Sequence, residues 1–130
     1  YIAETHHLIN KKTIQLMKKG AYILNTSRGG VIETEALLVA LKDGAIGGAA
    51  LDVLEEEGVM RDELNYFTTS RMEEHDLKTI LEDHILIDMP NVIITPHIAF
   101  NTQEALMRIL ETTIGNILDY TKGISTNLVK

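Results

Sequence analysis

The chain has 130 residues, 45% hydrophobic and 24% charged, the composition of one soluble globular domain. Its 12 Lys and Arg stand against 19 Asp and Glu, and a net charge of −7 argues against a nucleic-acid partner, which requires a basic face. The absence of Cys removes disulfides, thiolate catalysis and Cys-based metal sites, and the longest apolar run, 45–51, is too short to cross a membrane.

No charged n-region followed by an apolar h-region opens the chain, so a cytoplasmic location is expected. Asn10 predicts the N-cap of a short helix over 11–18 with Ile14, Leu16 and Met17 on its apolar face, and Gly20 suits the left-handed position after it. Residues 21–25 (Ala-Tyr-Ile-Leu-Asn) are short and apolar and predict a buried strand. A helix over 33–43 follows, with Ala36, Leu37, Ala40 and Leu41 on one stripe and Gly44 as its stop. Residues 46–53 predict a second buried strand, and the acidic, irregular stretch 54–75 predicts a long loop of the kind that carries function.

Leu77, Ile80, Leu81 and Ile85 predict the apolar side of a helix that ends before Pro90, with His75 and His84 at the surface. Val92 to Thr95 predicts a third buried strand, stopped by Pro96. The longest helix is expected over 102–122, with Leu106, Ile109, Leu110, Thr113, Ile117 and Tyr120 on one face and Gly123 behind it. Three apolar strands separated by helices predict an α/β fold with a parallel sheet. A three-stranded parallel sheet is small to be covered on both faces. With Tyr rather than Met at position 1, the expectation is the latter half of a doubly wound, Rossmann-type sheet.

Ligands of open α/β sheets bind beyond the carboxyl ends of the strands. Three segments meet that condition: Thr26-Ser27-Arg28-Gly29-Gly30, then Asp52 with Glu55, Glu56 and Glu57, and Pro96-His97-Ile98-Ala99-Phe100. Singly, Arg28 reads as a solvated loop residue, the glutamates as an acidic turn, His97 as a satisfied core histidine and Asp52 as a strand terminator. Together, behind three strands of one sheet, they favour a site. An arginine fork matches a carboxylate, a histidine exchanges a proton near neutrality, and a nearby glutamate orients it. That set suits reduction of a 2-oxo acid better than hydrolysis, since neither G-x-S-x-G nor Cys is present. No P-loop and no G-x-G-x-x-G occurs, and adjacent His6 and His7 lack metal-ligand spacing, so no metal is expected.

Four ordered stretches resemble the NAD-dependent D-isomer-specific 2-hydroxyacid dehydrogenases. They are Glu4-Thr5-His6-His7-Leu8-Ile9-Asn10, the run Gly20-Ala21-Tyr22-Ile23-Leu24-Asn25-Thr26-Ser27-Arg28-Gly29-Gly30-Val31-Ile32-Glu33, then Gly48-Ala49-Ala50-Leu51-Asp52-Val53-Leu54-Glu55-Glu56-Glu57, and Asn91-Val92-Ile93-Ile94-Thr95-Pro96-His97-Ile98-Ala99. The resemblance implies that residues 1–101 are the latter half of an NAD-binding Rossmann-type domain and that 102–130 return towards a substrate domain. The glycine fingerprint and that substrate domain would then precede Tyr1, and the isolated chain would be inactive.

By position, Arg28 resembles the arginine that holds the substrate carboxylate, His97 the acid/base and Glu57 the acid paired with it, with Glu55 and Glu56 as neighbours without that role. Asp52 resembles the residue that meets the nicotinamide carboxamide, and Thr5, Thr26 and Ser27 resemble other cofactor contacts. The long segment between Glu57 and Pro90 and Phe100 after His97-Ile98-Ala99 are similar to the D-lactate dehydrogenase branch, although Asn101 stands where many of those enzymes have an aromatic residue. The implied parent is a homodimer that reduces a small 2-oxo acid such as pyruvate with NADH. Alternatives are a dehydrogenase for a larger or phosphorylated 2-hydroxy acid, a non-catalytic nucleotide-sensing protein like the corepressors that share this fold, and an unrelated α/β interaction module.

Overall fold

A computed structural model describes residues 2–58 and 77–128. The chain divides into two compact units, Tyr1–His97 and Ile98–Lys130.

In the first unit, β1 (Ala21–Asn25), β2 (Ile46–Leu51) and β3 (Val92–Ile94) form a parallel sheet in the order β1-β2-β3. Helix α1 (Thr34–Lys42) connects the first two strands, and α2 (Leu77–Ile87) precedes the third. The expected α/β class with a parallel, Rossmann-type sheet is therefore observed. The helices cover one face: Ile23, Ile46, Ala49 and Leu51 of the sheet pack with Leu37 and Leu41 of α1 and Leu86 of α2 in one core. Removing a buried side chain such as Leu37, which is 1% exposed, costs about 2–5 kcal/mol in comparable cores.

Four expectations need correction. The segment 11–18 is a turn followed by a 3-10 helix, Ile14–Leu16, rather than an α-helix. Asn10 still starts it, its Oδ1 accepting from the backbone N–H groups of Lys12 (2.9 Å) and Thr13 (3.2 Å), but the run is too short for α-helical cooperativity. Next, the strands are not buried on both faces: Tyr22 and Leu24 of β1 are 74% and 73% exposed, and Ile93 of β3 is 66% exposed. A strand alternates its side chains, and α1 and α2 both pack on the face opposite these residues.

The second strand also ends at Leu51, the Asp52 N–H making the last bond to β1 at the Asn25 carbonyl (2.9 Å). Finally, α2 buries a different face from the one predicted. Leu77, Leu81 and Ile85 are exposed, whereas Glu82, Asp83 and Leu86 are buried. His84 is exposed as expected, and His75 and most of the expected loop lie outside the described residues.

Helix ends follow local chemistry. Gly20 and Gly44 take positive φ (77° and 69°) after their segments, the conformation that an L side chain resists. The second unit is dominated by α3 (Gln103–Thr121), capped by the Thr102 hydroxyl accepting from the Ala105 N–H (3.2 Å) and followed by Gly123 at φ 75°. Its apolar stripe, including Leu106, Ile109, Leu110 and Ile117, is exposed. No helix among the described residues is long and apolar enough to cross a membrane.

Candidate active site

The carboxyl ends of β2 and β3 frame an open hollow of about 220 Å³, with Asp52, Glu57, Thr95 and His97 as its polar lining and Leu54 and Ile87 among its apolar walls. Chain geometry assembles it. Thr95 extends the β2–β3 pairing by one bond, its N–H donating to the Leu51 carbonyl (3.0 Å), and its hydroxyl donates to Asp52 Oδ1 (2.5 Å). Asp52 is 4% exposed, a carboxylate held at the wall of the hollow. Pro96 then ends the strand, and the His97 N–H closes back on the Thr95 carbonyl (2.9 Å).

His97 has φ 55°, left-handed backbone that costs a non-glycine residue about 1–2 kcal/mol. Such residues persist where their surroundings over-determine them. The turn aims the imidazole at the acidic segment, where Nδ1 lies 2.8 Å from Glu57 Oε1. Nε2 has no partner among the described residues, so it is the atom available to a ligand in the hollow. A carboxylate at Nδ1 fixes the orientation of the ring and leaves Nε2 as the position that can exchange a proton.

Arg28 stands on the loop after β1, at the same end of the sheet but two strands from His97, a backbone separation of roughly 10 Å from strand spacing. It does not line the hollow: its exposed guanidinium donates to the Ser27 carbonyl (2.7 Å). The loop itself is held by Asn25, which is 5% exposed. The Asn25 Oδ1 accepts from the Ser27 N–H (3.1 Å) and hydroxyl (2.8 Å), while its Nδ2 donates to the Arg28 carbonyl (2.9 Å). Thr26 is exposed beside them. Gly29 brings this loop against the acidic turn so closely that a Cβ there would fall 1.9 Å from the Leu54 carbonyl oxygen. Thr5 is apart from the hollow and exchanges hydrogen bonds with Ile2.

Sequence reasoning missed what Glu55 does. The first N–H of α1 receives no side-chain cap from Glu33, whose carboxylate instead accepts from the Lys11 N–H (3.0 Å). Glu55 supplies the cap from 21 residues away, Oε2 accepting from the Thr34 N–H (3.1 Å) and hydroxyl (2.8 Å), and Oε1 pairs with His7 Nε2. A carboxylate is favoured at a helix N-terminus. The legible signal was a helix opening Ile32-Glu33-Thr34 without an N-cap of the usual kind.

The same cluster takes in a buried carboxyl. Asp83 of α2 is fully buried, with Oδ2 accepting from the Glu56 N–H (3.2 Å) and Oδ1 3.3 Å from the Thr34 hydroxyl. Burial pushes its carboxyl up from 3.8 to about 6, against the lowering by those two hydrogen bonds and with a further rise from the charges of Glu55 and Glu56. His6, His7 and Glu55 bring one ligand atom each within 4.8 Å. The two rings are nonetheless stacked, centroids 3.8 Å apart and planes 23° from parallel, so their in-plane lone pairs run side by side instead of converging on one ion.

The family model for "D-isomer specific 2-hydroxyacid dehydrogenase, NAD binding domain" matches residues 1–99. The chain belongs to that family. It is 44% identical over 117 residues to a D-specific alpha-keto acid dehydrogenase of Enterococcus faecium, covering 90% of this chain and 34% of that protein. A glyoxylate reductase of Thermofilum pendens is 41% identical over 120 residues, 92% of this chain and 29% of the relative. Among solved structures, D-lactate dehydrogenase from Aquifex aeolicus, complexed with NAD and lactic acid, superposes with a TM-score of 0.78 at 41% identity, covering 95% of this chain and 35% of that one. The chain spans about a third of the length of the curated relatives that it matches.

Proposed function

We propose that this chain carries the acid/base pair and the nicotinamide end of the cofactor site of an NAD-dependent D-2-hydroxyacid dehydrogenase, whose full-length form reduces a small 2-oxo acid of the pyruvate type. The observation that carries the reading is the 2.8 Å contact between His97 Nδ1 and Glu57 Oε1 at a hollow that both residues line, with Nε2 lacking a partner among the described residues. What supports a nicotinamide there is the size of the hollow, suited to one ring and a small acid rather than to a whole dinucleotide, and the buried Asp52 carboxylate as acceptor for a carboxamide N–H. No G-x-G-x-x-G lies in these 130 residues to receive the pyrophosphate. The reading therefore limits this chain to part of the cofactor contacts: Asp52, the loop at Thr26 and Ser27, and Thr5 on the flanking segment.

When bound, NADH supplies the hydride that reaches the carbonyl carbon. The protein's part is the proton and the orientation. His97 Nε2–H donates to the carbonyl oxygen as the C–O double bond is reduced, and Glu57 holds the ring in place. Arg28 offers a bidentate fork for the substrate carboxylate once it leaves the Ser27 carbonyl, a single exposed bond that costs little to exchange. Residues 1–101 form the cofactor-domain part in this reading and 102–130 lead towards a substrate domain. The homodimeric state and cytoplasmic location of the whole protein belong to the same proposal.

His97→Gln in a full-length protein with this sequence is expected to lower kcat by about 10²–10⁴-fold while the Kd for NADH stays within about three-fold. Unchanged turnover overturns the assignment. A panel of pyruvate, glyoxylate and bulkier 2-oxo acids tests the substrate class: preference for a bulky acid overturns the pyruvate-type reading and retains the dehydrogenase. NADH oxidation is expected to be absent from the 130-residue chain alone.

A further inference from the structure

Glu57 meets His97 only if the turn that precedes it is held. That turn is built from three successive glutamates, and each is engaged differently. The side chain of Glu55 is bound to Thr34 and His7, the backbone N–H of Glu56 donates to Asp83 Oδ2 (3.2 Å), and Glu57 projects into the hollow. Asp83 is 0% exposed although its own helix leaves Leu77 and Leu81 in solvent. Burying a carboxyl in preference to leucine is costly unless the group is fully hydrogen-bonded, so its contacts decide the rotation of the helix.

Proton counting defines those contacts. The Thr34 hydroxyl has one proton and two carboxyl neighbours, Glu55 Oε2 at 2.8 Å and Asp83 Oδ1 at 3.3 Å. If the nearer Glu55 takes that proton, Asp83 satisfies the remaining contact by donating a proton of its own to the hydroxyl oxygen. With Asp83 protonated, as it is below about pH 6, this arrangement avoids two like charges sharing a single donor.

We propose that Asp83 is a positioning residue for Glu57: from the buried side of α2 it holds the Glu56 amide and the Thr34–Glu55 pair, and so sets the turn that presents Glu57 to His97. The inference rests on the dehydrogenase reading of that histidine–glutamate pair.

The test uses Asp83→Ala, Asp83→Asn and Glu57→Gln in the full-length protein. Asp83→Ala is expected to lower kcat about ten-fold with KM for NADH within two-fold, and to add nothing to the loss already caused by Glu57→Gln, because it acts through that residue. Asparagine keeps the shape, can accept from the Glu56 N–H and can donate to Thr34, so Asp83→Asn is expected to restore kcat to within two-fold. An Asp83→Ala loss that multiplies with the Glu57→Gln loss, no loss at all, or failure of asparagine to rescue overturns the proposal. Should Asp83→Ala not fold, Thr34→Val keeps the shape, removes the shared hydroxyl and is read by the same cycle.

If Glu57→Gln itself leaves kcat unchanged, the dehydrogenase reading fails instead. Hydrogen exchange of the Glu56 amide needs no turnover and separates the two failures. It is expected to accelerate at least ten-fold in Asp83→Ala and not in Asp83→Asn, and an unaccelerated amide overturns the anchor on its own.

Discussion

Two histidine–glutamate pairs lie two residues apart on one turn, yet they differ in what remains unused. In the His7–Glu55 pair the carboxylate has both oxygens taken, one by the imidazole and one by the start of α1, and its side chain is 15% exposed. In the His97–Glu57 pair the carboxylate is 37% exposed, its second oxygen accepts a long bond from the Leu54 N–H (3.4 Å), and the imidazole Nε2 has no partner among the described residues. Both histidines have left-handed backbone, φ 50° and 55°. The same pair chemistry thus holds structure where both carboxylate oxygens are taken and, in the proposed function, serves reaction where one ring nitrogen is left over.

Substitutions can break this contrast. Of the two pairs, the larger expected effect on stability comes from Glu55→Ala, which strips the N–H cap of α1 and the partner of His7. A loss of about 2 kcal/mol, near 10 °C in Tm for a unit of roughly 100 residues, is expected. Glu57→Ala should cost less than about 0.5 kcal/mol while removing activity. Equal thermal melts for the two variants would erase the distinction.

A subtler effect concerns pH. A carboxyl that titrates at about 6 when folded, against 3.8 in the unfolded chain, binds its proton more tightly in the folded state. The stability that Asp83 contributes is therefore complete below pH 3.8 and lost as pH rises through 6, with an upper bound of about 3 kcal/mol. Denaturant unfolding of the 130-residue chain and its Asp83→Asn variant at pH 4 and pH 7 checks the sign: the parent should lose ground to the variant as pH rises. A constant difference would mean that Asp83 is not the titrating member of the anchor.

The smallest effect belongs to the exposed bridge between Lys78 and Glu35 (2.7 Å), which joins α2 to α1. Lys78 holds the Glu35 carboxyl below its usual range, but both side chains are solvent-exposed, and Lys78→Met should leave Tm within about 2 °C. A larger drop would show that the orientation of α2 depends on its surface as well as on Asp83.

Much of this was legible in the residues because it is local. Apolar runs bounded by Gly, Asn or Pro marked β1, β2 and β3, and Gly20, Gly44, Thr102 and Gly123 marked segment ends, since a left-handed stop or a cap depends on a few neighbouring atoms. The 11–18 segment misled because its cap was correct while its length could not sustain an α-helix. Arg28, Asp52, Glu57 and His97 were all expected together at the carboxyl ends of strands; the fold draws the last three around one hollow but turns the guanidinium back on Ser27.

Periodicity by itself determined that residues 77–87 are a helix, and the alternation of elements determined a parallel α/β sheet. Only the tertiary structure decided that this helix buries Asp83 rather than its leucine stripe, and that Glu55 closes a helix end. The partners of Asp83 stand 27 and 49 residues away along the chain, and the hydrogen-bond donors that make a buried carboxyl tolerable exist only once those segments meet.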